Sequence, residues 1–193
     1  RDPASLAAAR RAVAAAGHGN VAFLRADLRA LPFAEAAFDH AFVCFVLEHV
    51  PSPPALLREL ARVVRPGGTL TVIEGDHGSA FYYPDDADAR HAIECLVTLQ
   101  ARDGGDARIG RALYPLLVAA GLRDVAVEPL FVYADASRPA MVQGFTLDTF
   151  TAMVAGVGDA ALRAGLTDEA RWARGIAALR RTAAPDGTFS YTF

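Results

Sequence analysis

Hydrophobic and polar positions along this chain alternate between helical spacing and short unbroken apolar runs. Residues 3–16 are rich in alanine and read as a helix, which Gly17 and Gly19 end by supplying backbone freedom at its C-terminus. Val21 to Arg25 reads as a short strand. Ala41 to Leu47 is a continuous apolar run bounded by polar residues, the pattern of a strand covered on both faces. Leu56, Leu57, Leu60, Val63 and Val64 then recur at helical spacing, after Ser52 and two prolines that start a helix but do not continue one. Arg65-Pro66-Gly67-Gly68 stops that helix, and Thr69 to Glu74 is the next strand. Strand, helix and strand with short connections predict a parallel, right-handed unit.

The second half keeps this grammar and then departs from it. Ile93, Leu96 and Val97 stripe a helix after Pro84, and Leu113, Leu116 and Leu117 stripe another that Gly121 ends. Val125 to Ala134 reads as a long strand. Helices over 139–156 and 167–183 carry Phe145, Phe150 and Met153 on one and Trp172, Ile176 and Leu179 on the other, residues that read first as core. Thr188 to Phe193 reads as a final strand. The pattern predicts one α/β domain: a core over 1–134, a helical elaboration over 135–187 and a last strand over 188–193.

Composition narrows the chemistry. At 193 residues with 53% hydrophobic content, the chain buries one sizeable core. A formal charge of -3 gives no reason to expect nucleic acid as a partner, and no apolar run reaches the roughly 18 residues of a membrane span, so the expectation is a cytoplasmic protein with neither nucleic acid nor membrane as partner. The chain contains no lysine, which excludes Schiff-base enzymes, P-loop nucleotidases and the Tyr-x-x-x-Lys dehydrogenases. Cys44 and Cys95 have no metal-ligand spacing and read as reduced thiols in apolar surroundings.

Three segments in order carry a family resemblance. Arg25-Ala26-Asp27-Leu28 with Leu31-Pro32-Phe33, Phe38-Asp39 followed by Val43-Cys44-Phe45-Val46-Leu47-Glu48-His49-Val50, and Leu60 through Gly68 resemble the third strand and loop, the fourth strand and turn, and the helix and Pro-Gly-Gly turn of class I S-adenosylmethionine-dependent methyltransferases, of the small-molecule, ubiquinone-biosynthesis-like type. The resemblance covers about residues 3–134. It implies a Rossmann-like, mostly parallel sheet flanked by helices, lacking the first two strands, with extra C-terminal helices before a final antiparallel strand. It also implies S-adenosylmethionine as cofactor and a small-molecule oxygen, nitrogen or carbon as methyl acceptor.

Open α/β sheets bind ligands beyond the carboxyl ends of their strands, where Asp27, Phe45 and Glu74 are expected to converge. By the resemblance Asp27 accepts from the adenine amino group; as a plain residue it caps a turn. Leu28 supplies an apolar wall to adenine or packs in the core. Cys44 and Phe45 flank the methionine portion of the cofactor, or belong to the core. His49 lies close to the expected methyl position, as cofactor contact, base or loop-fixing group, and Glu48 beside it reads as a solvated or capping carboxylate. Glu74, Asp76, Tyr82 and Tyr83 face the acceptor side, the tyrosines as a lid or as packing under the next helix. His77, with Asp76 to orient it, is the first candidate for a general base and His49 the second; both are also ordinary loop residues.

The family's Gly-x-Gly-x-Gly turn and the acidic residue that holds the ribose are not in this sequence. Gly17-His18-Gly19 follows a helix and precedes a strand, the reverse of the required order, and Gly156-Val157-Gly158 lies among helices. The expectation is therefore a methyltransferase truncated at its N-terminus. Two rival readings stand beside it: a non-catalytic scaffold that keeps the fold, and a dinucleotide oxidoreductase on a related sheet.

Overall fold

A computed structural model describes residues 3–193. Helix α1 (Pro3–Ala15) leads into an irregular segment, then strand β1 (Phe38–Cys44), a 3-10 turn (Leu47–His49), helix α2 (Pro53–Val63) and strand β2 (Val64–Ile73). β1 and β2 pair in parallel, as the strand–helix–strand pattern predicts. The Pro-Gly-Gly sequence does not form a separate turn. It is a bulge inside β2, where the register jumps from Phe38 opposite Val64 to His40 opposite Thr69. Gly67 takes φ +75°, and a Cβ on Gly68 would lie 2.6 Å from the Asp39 carbonyl, so this tight passage requires glycine. The regular ladder starts at Thr69, where the sequence places it.

Past β2 the chain turns back on itself. β3 (Phe81–Tyr83) pairs with the final strand β5 (Thr188–Thr192), which pairs on its other side with β4 (Phe131–Ala134), all antiparallel. The antiparallel share of the structure thus exceeds the sequence expectation, because β3 is a three-residue strand with only Tyr82 turned inward, too short to leave a periodic signal. The two sheets meet where the Asp76 amide donates to the Thr192 carbonyl.

Helices α3 (Ala87–Arg102) and α4 (Leu113–Ala119) form as their apolar stripes predict. Asp86 caps α3 by accepting from the amides of Asp88 and Ala89. The helix expected over 139–156 is three pieces, α5 (Pro139–Met141), a π-helix over Val142–Thr151, and α6 (Ala152–Ala155); a short α7 (Gly158–Arg163) and α8 (Glu169–Arg181) follow. The π-helix bonds residues five apart, and it places Phe145 and Phe150 together against Phe189 and Tyr191.

Two expected strands are shorter or missing. Val21 to Arg25 is irregular and exposed, with a lone bridge between Asp27 and Ala30 nearby; among the described residues no strand lies alongside to complete its hydrogen bonds. Of Val125 to Ala134 only the last four residues form a ladder, because β5 is short and reaches no further than the Leu130–Phe193 pair.

The core has two parts. One gathers Leu47, Leu56, Leu57 and Leu60 with Ile109, Leu113 and Leu117 around the parallel pair. The other gathers Tyr82, Ile93, Leu96, Phe150, Ile176, Leu179, Phe189 and Tyr191 around the antiparallel sheet.

Candidate active site

The site is built where β1 and β2 end. Phe45, just past β1, takes φ +53°, which costs a non-glycine residue of order 1–3 kcal/mol. Its amide still donates to the Ile73 carbonyl at 2.9 Å, so the strand pair holds it in that conformation. The ring is 41% exposed and lies 5.3 Å from that of Phe193. Cys44 beside it is half-buried, and burial, with Glu74 nearby, raises its thiol pKa and keeps it protonated.

Glu74 directly follows β2 and is fully buried. Its carboxylate accepts from the amides of Val46 at 2.9 Å, Leu47 at 2.7 Å and Glu48 at 3.4 Å, the donors left unpaired at the start of the 3-10 turn. The assignment of Glu74 to substrate is corrected here: no part of it is exposed, and its oxygens serve the backbone. Burial raises its pKa against these hydrogen bonds, which favour the ionised form.

The expected Asp76–His77 pair also separates. Asp76 caps the turn His77–Ser79 through the Gly78 amide and is clasped by Arg111 at 2.7 and 2.8 Å, which withdraws it both from the imidazole and from the acceptor. His77 is 6% exposed, its Nδ1 lies 2.6 Å from the Tyr191 hydroxyl and its Nε2 3.6 Å from Glu48. An imidazole with both nitrogens turned to protein is not placed to take a proton from an acceptor, so the first choice of base is corrected for a geometric reason. Gly75 makes the Tyr191 contact possible, since a Cβ there would stand 2.2 Å from the Tyr191 hydroxyl. Burial also raises the pKa of Tyr191 and keeps it neutral.

Burial lowers the pKa of His77, which Glu48 and Asp76 only partly offset. The unfolded chain takes up a proton near pH 6.5 that the folded chain refuses, so stability falls as pH drops below about 6.5. Urea unfolding between pH 7.5 and 5 is expected to show that loss in the wild type and a smaller one in His77→Gln. Equal slopes in the two proteins would show that His77 is not held neutral.

His49 is the accessible imidazole, with a side chain 61% exposed. Glu48 is not solvated as its sequence context suggests; it is 6% exposed and held by the Gln100 amide at 3.0 Å. Of the two readings of Tyr82, lid or packing, the structure shows packing, which corrects its assignment to substrate: it is 8% exposed and stacked on Phe189, with burial pushing its phenol up to about 12. Tyr83 stays 60% exposed.

Asp27 and Leu28 line an open cleft of about 940 Å³ with Leu24, Leu31, Phe33, Val50 and Leu56. Arg29 holds the Asp27 carboxylate at 2.7 Å on the surface. The cleft wall owes its shape to a pair the sequence reading did not single out. Glu59 accepts from the Leu31 amide at 2.8 Å, while Arg62 donates to the carbonyls of Leu31 and Phe33, and Arg62 holds the Glu59 carboxyl down to about 2. The i, i+3 spacing of Glu59 and Arg62 was the available signal. Tyr191 and Gln100 left none, lying far in sequence from the site they complete.

An apolar cleft with a carboxylate on its wall lies next to the segment leaving the carboxyl end of a parallel strand, the place where open α/β sheets hold ligands. Residues 1–72 match the family model described as a methyltransferase domain. Over that first part of the chain the match supports a class I S-adenosylmethionine-dependent methyltransferase. It is 36% identical over 136 residues to an uncharacterized 37.1 kDa protein in transposon TN4556 of Streptomyces fradiae, covering 67% of this chain and 37% of that protein. It is 49% identical over 57 residues to a demethylmenaquinone methyltransferase of Corynebacterium kroppenstedtii, covering 30% of this chain and 25% of the relative. Among solved structures, a Haemonchus contortus phosphoethanolamine N-methyltransferase in complex with S-adenosylhomocysteine is similar at a TM-score of 0.46 and 13% identity, covering 96% of this chain and 40% of that one. The chain thus spans well under two thirds of the curated relatives it matches. No helix among the described residues is long and apolar enough to cross a membrane.

Proposed function

We propose that the protein transfers a methyl group from S-adenosylmethionine to a small-molecule acceptor. The observation that carries this reading is the cleft: its lining of Leu24, Leu28, Leu31, Phe33 and Leu56 with the Asp27 carboxylate suits a flat, apolar base that carries an amino group. The residues present fit the adenine and methyl sides of the cofactor. The glycine turn for its carboxylate end is not among them, and we propose that it lies in an upstream segment of a longer protein.

S-adenosylmethionine supplies a methyl group activated on a sulfonium. Asp27 accepts from the adenine amino group, exchanging part of its Arg29 contact, while Leu28 and Leu31 cover the base. The exposed Phe45 ring and the Cys44 backbone flank the methionine portion, and Glu74 contributes by fixing the turn that follows. Holding two reactants in line is the main source of acceleration for such a displacement. His49, at the start of the next loop, takes a proton where the acceptor must lose one. Tyr83, exposed after the second sheet begins, is left for contact with the acceptor.

The test is formation of S-adenosylhomocysteine by a version extended upstream to include a glycine turn, offered hydroxyl, amine and carbon-acid acceptors. A demethylated quinone is the first to try, since relatives carry that name. Acceptor-dependent product is expected. Cofactor binding without turnover on any acceptor class would favour a scaffold, and tight NADH binding instead would favour an oxidoreductase.

A further inference from the structure

Glu48 is buried, yet it faces two imidazoles. Its Oε1 lies 3.6 Å from His49 Nε2 and its Oε2 lies 3.6 Å from His77 Nε2. The Gln100 amide nitrogen donates to Oε2 and to the Glu48 carbonyl, both at 3.0 Å, and the same carbonyl accepts from the Asp106 amide. Those two oxygens fix which way the amide points. They also use both of its N–H donors, so the contact between Gln100 and His49 Nδ1, at 3.4 Å, is a weak third. Glu48 is thereby clamped at its carboxylate and at its backbone.

The two histidines it faces are in different positions. His77 is closed off, with Tyr191 on its other nitrogen. His49 is mostly exposed, and among the described residues its Nδ1 has only the weak Gln100 contact. A carboxylate opposite Nε2 favours the tautomer with the proton on that nitrogen, and so leaves the Nδ1 lone pair for an incoming proton.

We propose that Glu48 is a positioning residue for His49: from 3.6 Å, just beyond hydrogen-bond length, its oxygen draws Nε2–H toward it on a small turn of the exposed ring, fixes the ring and its tautomer, and makes Nδ1 the nitrogen that receives a proton from the acceptor. The proposal rests on the methyl-transfer reading for its purpose. The proton leaves the acceptor and bonds to Nδ1; the ring then carries a proton on each nitrogen and a positive charge that faces the Glu48 carboxylate. A buried, clamped carboxylate serves here because it cannot turn to water when the charge forms. Clamping also explains why Gln100, on α3, is drawn into a site otherwise built from strand ends.

The test is the ¹⁵N spectrum of the imidazole nitrogens in the 193-residue chain, recorded at mildly alkaline pH. His49 is expected as a single Nε2–H tautomer. In Glu48→Ala both of its ring nitrogens shift toward the averaged positions of a solvent-exposed histidine, while Glu48→Gln, whose amide oxygen still accepts, restores the single tautomer. Gln100→Leu, which frees the carboxylate without removing it, gives partial averaging and serves as the second variant where Glu48→Ala does not fold. Averaged shifts in the wild type, or a single tautomer unchanged in both Glu48→Ala and Gln100→Leu, overturn the proposal. The measurement uses neither cofactor nor acceptor, so its failure is distinct from a failure to transfer methyl groups.

Discussion

Replacing Glu74 by alanine is expected to destabilise the fold by about 3–5 kcal/mol, the largest single effect at this site. The carboxylate accepts three backbone N–H groups at the start of the Leu47–His49 turn, and Leu47 beneath it is fully buried. Leaving a buried donor without a partner costs about 1–3 kcal/mol, and the cavity left by the side chain adds to that. Glu74→Gln separates the two contributions. Its oxygen still accepts from Val46 and Leu47, but its NH₂ would face the Glu48 amide, so a cost of about 1–2 kcal/mol is expected. Chemical denaturation of the three proteins at pH 7 measures this directly. A cost below about 1 kcal/mol for Glu74→Ala would mean that the turn satisfies its amides some other way.

The second large effect concerns the cofactor. In an upstream-extended protein, Asp27→Ala is expected to weaken S-adenosylhomocysteine binding by roughly 10- to 150-fold, because a hydrogen bond to a charged group contributes about 1.5–3 kcal/mol. Asp27→Asn retains an acceptor and loses less. The Arg29 pair makes a control available: Arg29→Ala removes the guanidinium from the carboxylate, keeps the backbone donor at that position, and leaves affinity the same or improved. Asp27 and Arg29 are both solvent-exposed, so the pair adds little to stability, and a loss of affinity in Asp27→Ala is not a folding defect. Unchanged affinity in a folded Asp27→Ala protein would reduce Asp27 to the cap of its own turn.

Periodicity was enough to locate α2, the ladder from Thr69 and the helices α3, α4 and α8, because each buries one continuous apolar face that its own residues spell out; the run Ala41 to Leu47 located β1 only in part, since the strand is Phe38–Cys44, Phe42 is 60% exposed rather than covered, and Leu47 lies in the following turn. Val21 to Arg25 was misread for the complementary reason: strand character depends on a neighbour, and apolar residues do not say whether one is present. The π-helix was invisible because its apolar spacing over 142–151 differs little from that of an α-helix. At the site, position along the strands pointed to Phe45, Glu74 and His49, which lie just past the ends of β1 and β2. Their roles depend on burial, which the sequence does not record. Glu74 and His77 follow the same strand and looked like crevice residues, but the return of β5 closes Tyr191 over the loop between them. That contact joins residues 114 positions apart, and no local pattern announces it. Glu48 is the reverse case, a charged residue at the end of an apolar run that reads as a cap and is instead enclosed by Gln100 and two histidines.

We propose that this chain holds the adenine and acceptor sides of an S-adenosylmethionine site and needs a glycine turn from elsewhere to bind the cofactor. Only glycine lets a backbone approach the cofactor closely at such a turn, so the half-site here is expected to be weak alone. Calorimetric titration with S-adenosylhomocysteine of the 193-residue chain, beside a version extended upstream to include that turn, tests this most directly. Binding in the micromolar range by the extended protein, with none or only millimolar binding by the 193-residue chain, is the predicted result; no binding by a folded extended protein, or micromolar binding by the chain alone, would contradict it.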